Sequence, residues 1–472
     1  MVYLLVIILL LAAWQVWRIR SSAALKEMNV GAQLYREKRY TEAEAHFQQL
    51  LTQRLPPGVE ADTRRRLADT LDILGKVEAS AAERSHIENI TAQNPRDARA
   101  QEARGDLLKR KHEYDKACEA YTYALEKTPA QYRTGRALIM AKLALATYEA
   151  GRPADALTWA EISLASSPQP TIGLSMIRIS AVSHADQGNL VQAEQCFSEA
   201  LRLSKLSDVP KDIAQDMSGL AGIHYKRGQF EAAISVCRKA RQIFVDPSRV
   251  AFITEAEALR EMGRFDEARA VMAQLRLTPG VDQPNLERRM RALHTLGSAW
   301  IETRADQPDA ALAFLEQARP GFEAEAPPSD DIWPPSPQKG DDKLLLWCDA
   351  AKMLALAQRG ELDAAQHLRD SVLSWLSFFD QDRATQLLVY SCAARTAFVL
   401  GDLAECKKLL TVYLDWKPYP VGLLPAHYWL GETYLRLGET DAAREAFRQA
   451  VVPGIDSLDA RRAAARLQEI GG

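Results

Sequence analysis

Residues 263–268 read GRFDEA, a string with no evident catalytic arrangement that the chain nevertheless repeats along its length. The pattern is Gly, any residue, a mostly apolar residue, two variable residues and a small residue. It returns as GKVEAS from Gly75, GRPADA from Gly151, GNLVQA from Gly188, GQFEAA from Gly228, GELDAA from Gly360, GDLAEC from Gly401 and GETDAA from Gly438. KRYTEA, ending at Ala43, and HEYDKA, ending at Ala117, lack only the glycine. The closing small residues fall mostly 35 to 41 positions apart, a step that fits one helical hairpin.

Both flanks of GRFDEA have helical period. Ile253, Ala256 and Leu259 precede it at three-residue spacing, and Ala268, Val271, Met272 and Leu275 follow at three- and four-residue steps, so each flank predicts an amphipathic helix. Glycine admits the left-handed backbone that ends one helix. The acid three positions on suits the start of the next through capping and the helix dipole. The closing alanine lets the two helices cross closely. The string therefore predicts a helix-turn-helix corner.

Aromatic and small residues at set offsets accompany the corners. Trp429, Leu430, Gly431, Tyr434, Gly438, Ala443, Phe447 and Ala450 form one set. Gly105, Leu108, Ala117, Tyr121, Ala124 and Pro129 form a second, and Gly31, Leu34, Ala43, Phe47 and Leu50 a third. In this order of residues the chain resembles the tetratricopeptide repeat family, over roughly four fifths of its length. The repeat step here is somewhat longer than the family's usual ~34 residues. Agreement is poor near Arg84 and between Ala292 and Ala318. The resemblance implies an all-α fold, a right-handed superhelical solenoid of antiparallel helix pairs.

The expected organisation is a transmembrane helix over residues 1–20, about eight hairpins over 21–320, a Pro- and acid-rich insertion over 321–343, about three hairpins over 344–454, and a capping helix over 455–472. The first segment, MVYLLVIILLLAAWQVWRIR, has no charged side chain from Met1 through Trp17 and then meets Arg18 and Arg20. As a helix the uncharged stretch is about 25 Å long, at the short end of what spans a bilayer. Trp14 and Trp17 suit an interface, and the arginines that follow favour repeats on the cytoplasmic side; the opposite orientation is the alternative. The final IDSLDARRAAARLQEIGG is expected to cover the last hairpin with its arginines facing water.

Lys plus Arg number 59 against 62 Asp plus Glu, a net charge of −3, so no basic excess points to nucleic acid. The six cysteines form no C-x-x-C pair, which argues against a structural zinc site. H-E-x-x-H, G-x-S-x-G and the glycine-rich phosphate and dinucleotide motifs are missing from the sequence. No catalytic, cofactor or metal residue is therefore expected, and the chain reads as a non-enzyme.

The resemblance instead implies a concave groove, lined by the first helix of each hairpin, that holds a segment of another protein. Counted from the small residue of each corner, its inward positions are Tyr35, Arg99, Glu102, Asp106, Lys109, Tyr148, Arg178, Tyr225, Glu257, Arg260, Arg395, Tyr428 and Glu432. Tyrosines with both signs of charge suit peptide recognition. Met28 and Ala32 stand where relatives that bind a C-terminal carboxylate carry Lys and Asn, so that mode is not implied. The expected function is a membrane-anchored scaffold or adaptor. One alternative is a regulator of an envelope enzyme or protease complex, and another an enzyme with a cryptic site near residues 292–342.

Overall fold

The computed structural model describes residues 22–111, 113–166, 170–244, 250–274, 284–323, 340–379 and 382–471. These residues form α-helices joined by short turns, with one 3₁₀ turn at Leu376–Phe379. The chain divides into two compact units, residues 1–150 with 158–173, and residues 151–157 with 174–472.

The first unit contains α1 (22–36), α2 (Tyr40–Leu51), α3 (Pro57–Ile73), α4 (Val77–Gln93), α5 (Ala98–Arg110), α6 (Tyr114–Lys127) and α7 (Arg133–Glu149). The division between units falls within α8 (Pro153–Ser166) and α9 (Pro170–Asp186). The second unit continues through α10 (Leu190–Ser207), α11 (Pro210–Lys226), α12 (Phe230–Ile243), α13 (Val250–Glu261), α14 (Phe265–Gln274), α15 (Pro284–Arg304) and α16 (Pro308–Glu323). It ends with α17 (Gly340–Arg359), α18 (Leu362–Trp375), α19 (Arg383–Leu400), α20 (Leu403–Asp415), α21 (Pro420–Arg436), α22 (Thr440–Ala450) and α23 (Leu458–Glu469). Successive helices pack as hairpins.

GRFDEA is the corner between α13 and α14. Gly263 has φ 75°, the Arg264 amide donates to the Leu259 carbonyl at 2.8 Å, and the Gly263 amide donates to Arg260 at 3.0 Å. This is the six-to-one closure that satisfies the last carbonyls of a helix. The expected side-chain cap is mostly absent. The residue before the new helix, such as Gln229, Glu361 or Glu439, makes no capping hydrogen bond; its ψ lies near 62–66°, and its side chain is not one of the Ser, Thr, Asp or Asn that cap well. Asp402 is an exception, accepting from Glu405 N at 3.2 Å. The acid of the other strings sits in the first turn, where the helix dipole alone favours it.

All ten closing small residues, from Ala43 to Ala443 and including Ser80 and Cys406, are fully buried. The Ser80 hydroxyl donates to the Ala68 carbonyl at 3.0 Å, so the polar replacement near Arg84 is satisfied. The poorly matching stretch from Ala292 to Ala318 is also a hairpin, α15 with α16. Asp306 takes the glycine's place with φ 58°, the Gln307 amide donates to Glu302 at 2.9 Å, and Ala311 is fully buried. Aspartate is among the few residues that tolerate this backbone, which kept the corner out of a glycine-based pattern.

The proposed span at residues 1–20 and most of the proline-rich insertion lie outside the described residues. Among the described residues no helix is long and apolar enough to cross a membrane. α16 runs on to Glu323 and α17 begins at Gly340, so both ends of the 321–343 segment are helical.

The cap helix α23 differs from its sequence reading. Ser457 caps it by accepting from Ala460 N at 3.0 Å, and it packs against α21 and α22. Its arginines, however, do not simply face water. Arg461 donates to the Met262 carbonyl at 2.6 Å, and Arg466 reaches Glu432 at 2.6 Å. Asp459 of the same helix forms a buried ion pair with Arg304. Ile455 and Leu458 lie against Gly228 and Gly263, so the end of the second unit meets its own earlier corners.

Candidate functional site

The first unit places a charged ladder across α3, α5 and α7. Arg65 lies 2.7 Å from Asp62, 3.1 Å from Asp69 and 3.1 Å from Asp106. Lys142 adds contacts to Glu102 at 2.6 Å and Asp106 at 2.8 Å, while the Tyr121 hydroxyl donates to Asp106 at 2.7 Å. Burial opposes the charge on Asp106, but Lys142 and Arg65 outweigh it and hold the carboxyl below its ordinary value. Burial likewise opposes the charge on Lys142, and its two carboxylates raise it.

A group with a lowered folded pKa contributes stability above its unfolded pKa and loses that contribution as pH falls through the folded value. Asp106 should therefore make the protein lose stability as pH drops below the usual aspartate range. Asp69, raised by burial, contributes with the opposite sign, so the comparison must isolate Asp106. Denaturant unfolding between pH 7 and 3 should give a shallower acid slope for Asp106→Asn than for the parent; equal slopes would contradict the assignment.

The residues predicted for the groove have separate fates. Glu102 and Asp106 belong to the ladder, Arg99 is exposed at the start of α5, and Lys109 is pushed below its usual value by burial. Tyr35 and Tyr148 are half-buried on α1 and α7. Arg178 is engaged by Asp216 at 2.6 Å and Asp212 at 3.1 Å. Tyr428 is buried against Phe447, their centroids 6.0 Å apart, and Glu432 is taken by Arg466 of α23.

The remaining four, Tyr225, Glu257, Arg260 and Arg395, surround one cavity of about 510 Å³ in the second unit. Its walls come from α11, α13, α15, α17, α19, α20 and α21. Trp300, Trp347, Tyr413 and Tyr419 supply further aromatic surface, and Arg304 further charge. Sequence counting missed these. Trp300 and Arg304 lie on α15, beside the corner hidden at Asp306, Trp347 is on α17, Tyr413 is on a second helix, and Tyr419 is in a turn. Offsets reach Trp300, eleven before Ala311 as Asp106 is before Ala117, only once the Asp306 corner is known, whereas Trp347, eighteen before Ala365 as Arg99 is before Ala117, was open to the same count and was passed over.

Arg260 contacts Glu261 at 2.9 Å, and Arg304 contacts both Asp459 and Glu261. Burial raises the Glu257 carboxyl above its ordinary value against the pull of Arg260. Burial, with Arg304 as the nearby like charge, lowers Arg395 to about 10. The Arg395 guanidinium lies 5.3 Å from the Trp429 ring centroid. Burial pushes the Cys392 thiol up to about 12, so it is protonated at neutral pH and a poor nucleophile. Among the described residues no group of three or more His, Cys, Asp or Glu side chains is placed to hold a metal ion.

A family model of a tetratricopeptide repeat-like domain matches residues 20–147, and tetratricopeptide repeat models match residues 180–244, 250–274 and 424–451. The chain carries tetratricopeptide repeats. Among solved structures it is similar to a Rap protein complexed with competence and sporulation factor, with 13% identity, a TM-score of 0.52 and coverage of 79% of this chain and 99% of that one. A human IFIT1 dimer with PPP-AAAA gives 15% identity, a TM-score of 0.43 and coverage of 78% and 79%. A tetratricopeptide repeat protein from Parabacteroides merdae gives 13%, 0.38, 63% and 99%. At 13% identity the likeness to the Rap protein is one of fold alone. The sequence matches no curated protein.

Proposed function

We propose that this tetratricopeptide repeat chain is a non-catalytic scaffold that holds a protein partner on the face shared by α3, α5 and α7, and that residues 1–20 tether it to a bilayer with the repeats on the cytoplasmic side. The observation that carries the reading is the ladder itself. Arg65, Glu102, Asp106 and Lys142 fix one another across three hairpins, which holds that face in one arrangement. Arg99 is exposed on it, ready to meet a polar partner. The nearly balanced charge, 59 basic against 62 acidic residues, supports a protein partner over a nucleic acid. A tether supports scaffolding as well, because confinement raises the local concentration of whatever is bound.

Affinity capture from native membranes with the intact chain should yield a stoichiometric protein that is lost with Arg99→Glu combined with Lys109→Glu. Equal capture of the same proteins by both would remove the support for this face. Deleting residues 1–20 should move the chain out of the membrane fraction, and continued sedimentation with membranes would overturn the tether. In sealed spheroplasts, external protease should spare the repeats.

A further inference from the structure

The cavity of the second unit has a chemistry that protein scaffolding on the first does not use. Four cations line it, Lys226, Arg260, Arg304 and Arg395, against two carboxylates, Glu257 and Glu261. Most are already matched. Glu261 takes Arg260, Asp459 takes Arg304 from outside the lining, and Lys226 reaches Asp186 at 3.4 Å.

Among the four cations Arg395 is the exception. It lines the cavity, its Nε is shut off from solvent, and that Nε has no hydrogen-bond partner. The carboxylates that act on it, Asp459 and Glu261, are the ones engaged by Arg304 and Arg260. A guanidinium offers five donors in a planar fork suited to a carboxylate, and leaving it unmatched inside a protein is costly. Around it the surface is aromatic, with Trp300, Trp347 and Tyr413 on the walls.

We propose that this cavity binds a small amphipathic carboxylate, its apolar or aromatic body against the tryptophans and its anionic end on Arg395. Its size suits a small molecule. One wall is also tied down, because the Tyr419 hydroxyl donates to the Ala185 carbonyl at 2.7 Å. The cavity's volume of about 510 Å³ falls within the range of about 300–1,000 Å³ of small-molecule sites.

The test uses the full chain and three probes with one body: 4-biphenylacetate, 2-(4-biphenylyl)ethanol and 2-(4-biphenylyl)ethylamine. Calorimetric titration should show the acid binding once per chain and about tenfold tighter than the alcohol, as a charge-assisted contact to Arg395 requires. The amine should not bind. In Arg395→Met, acid and alcohol should bind alike, and the thermal midpoint should stay level or rise because a part-buried guanidinium with an unpaired Nε is gone. If the acid shows no preference over the alcohol in the wild-type chain, or if none of the three binds, the proposal fails whatever the variant does. If the variant keeps the acid preference, Arg395 is not the anion's partner. Protein capture by the first unit is scored separately and does not depend on Arg395.

Discussion

Asp459→Ala is expected to weaken the second unit by about 3–5 kcal/mol, the range for removing one partner of a buried ion pair. Asp459 is 1% exposed, and Arg304, its partner, is also buried. Alanine there would strand the guanidinium among Arg260 and Arg395, two like charges, with only Glu261 at 3.7 Å to offset it. It would also remove an acid from the first turn of α23, where the helix dipole favours one. Hydrogen exchange should show α23 opening first, and urea unfolding should show the loss. Converting both partners to apolar residues, Arg304→Met with Asp459→Leu, should recover most of it, since no charge is then left unmatched. A loss below ~1 kcal/mol in the single variant would mean that solvent reaches Arg304, as at a surface pair.

The second large effect is expected at Phe447→Ala, again about 3–5 kcal/mol, typical of a large aromatic removed from a packed core. Phe447 has no exposed surface and joins Tyr428, Ala443, Ala450 and Ala463 in one cluster. Its ring lies so close to α21 that a Cβ built on Gly431 would stand 2.6 Å from it. The glycine and the aromatic are thus two halves of one contact. A Cβ at 431 would overlap the Phe447 ring, and alanine at 447 removes that overlap, so Gly431→Ala should be destabilising in the parent and less so in Phe447→Ala. Additive losses in the double variant would show that the two positions are independent.

The same pairing recurs where Gly31 meets Phe47 and Gly105 meets Tyr121, in both cases with the Cβ position 2.5 Å from the ring. These contacts were legible because both members sit at fixed offsets within one hairpin. The corner at Asp306 was not, since it meets the same backbone requirement with a different residue. The capping role assigned to the acids was misread for a related reason. Residue type suggests a cap, but an acid three positions past the glycine, such as Asp266, already stands inside the first turn of the next helix, where it can serve the dipole and not the cap.

The groove positions divide along the same line. Offsets from the corners placed Tyr225, Glu257, Arg260 and Arg395 on first helices, and the fold gathers these four around one cavity. The same offsets also selected Arg178, Tyr428 and Glu432, which the protein uses internally. An offset specifies a face of a helix; it does not specify what a distant helix will bring against that face.

By itself the sequence determined the hairpins, their corners and the small residues at their crossings, because each depends on backbone preference and side-chain volume within a few tens of residues. Tertiary structure alone decided that α23 returns to the corners at Gly228 and Gly263, that Asp459 finds Arg304, and that Tyr419 closes on Ala185. These partners are 155 and 234 positions apart in the last two cases, and no local period encodes such a separation. It arises from small rotations between successive repeats that accumulate until one end of the unit meets an earlier part.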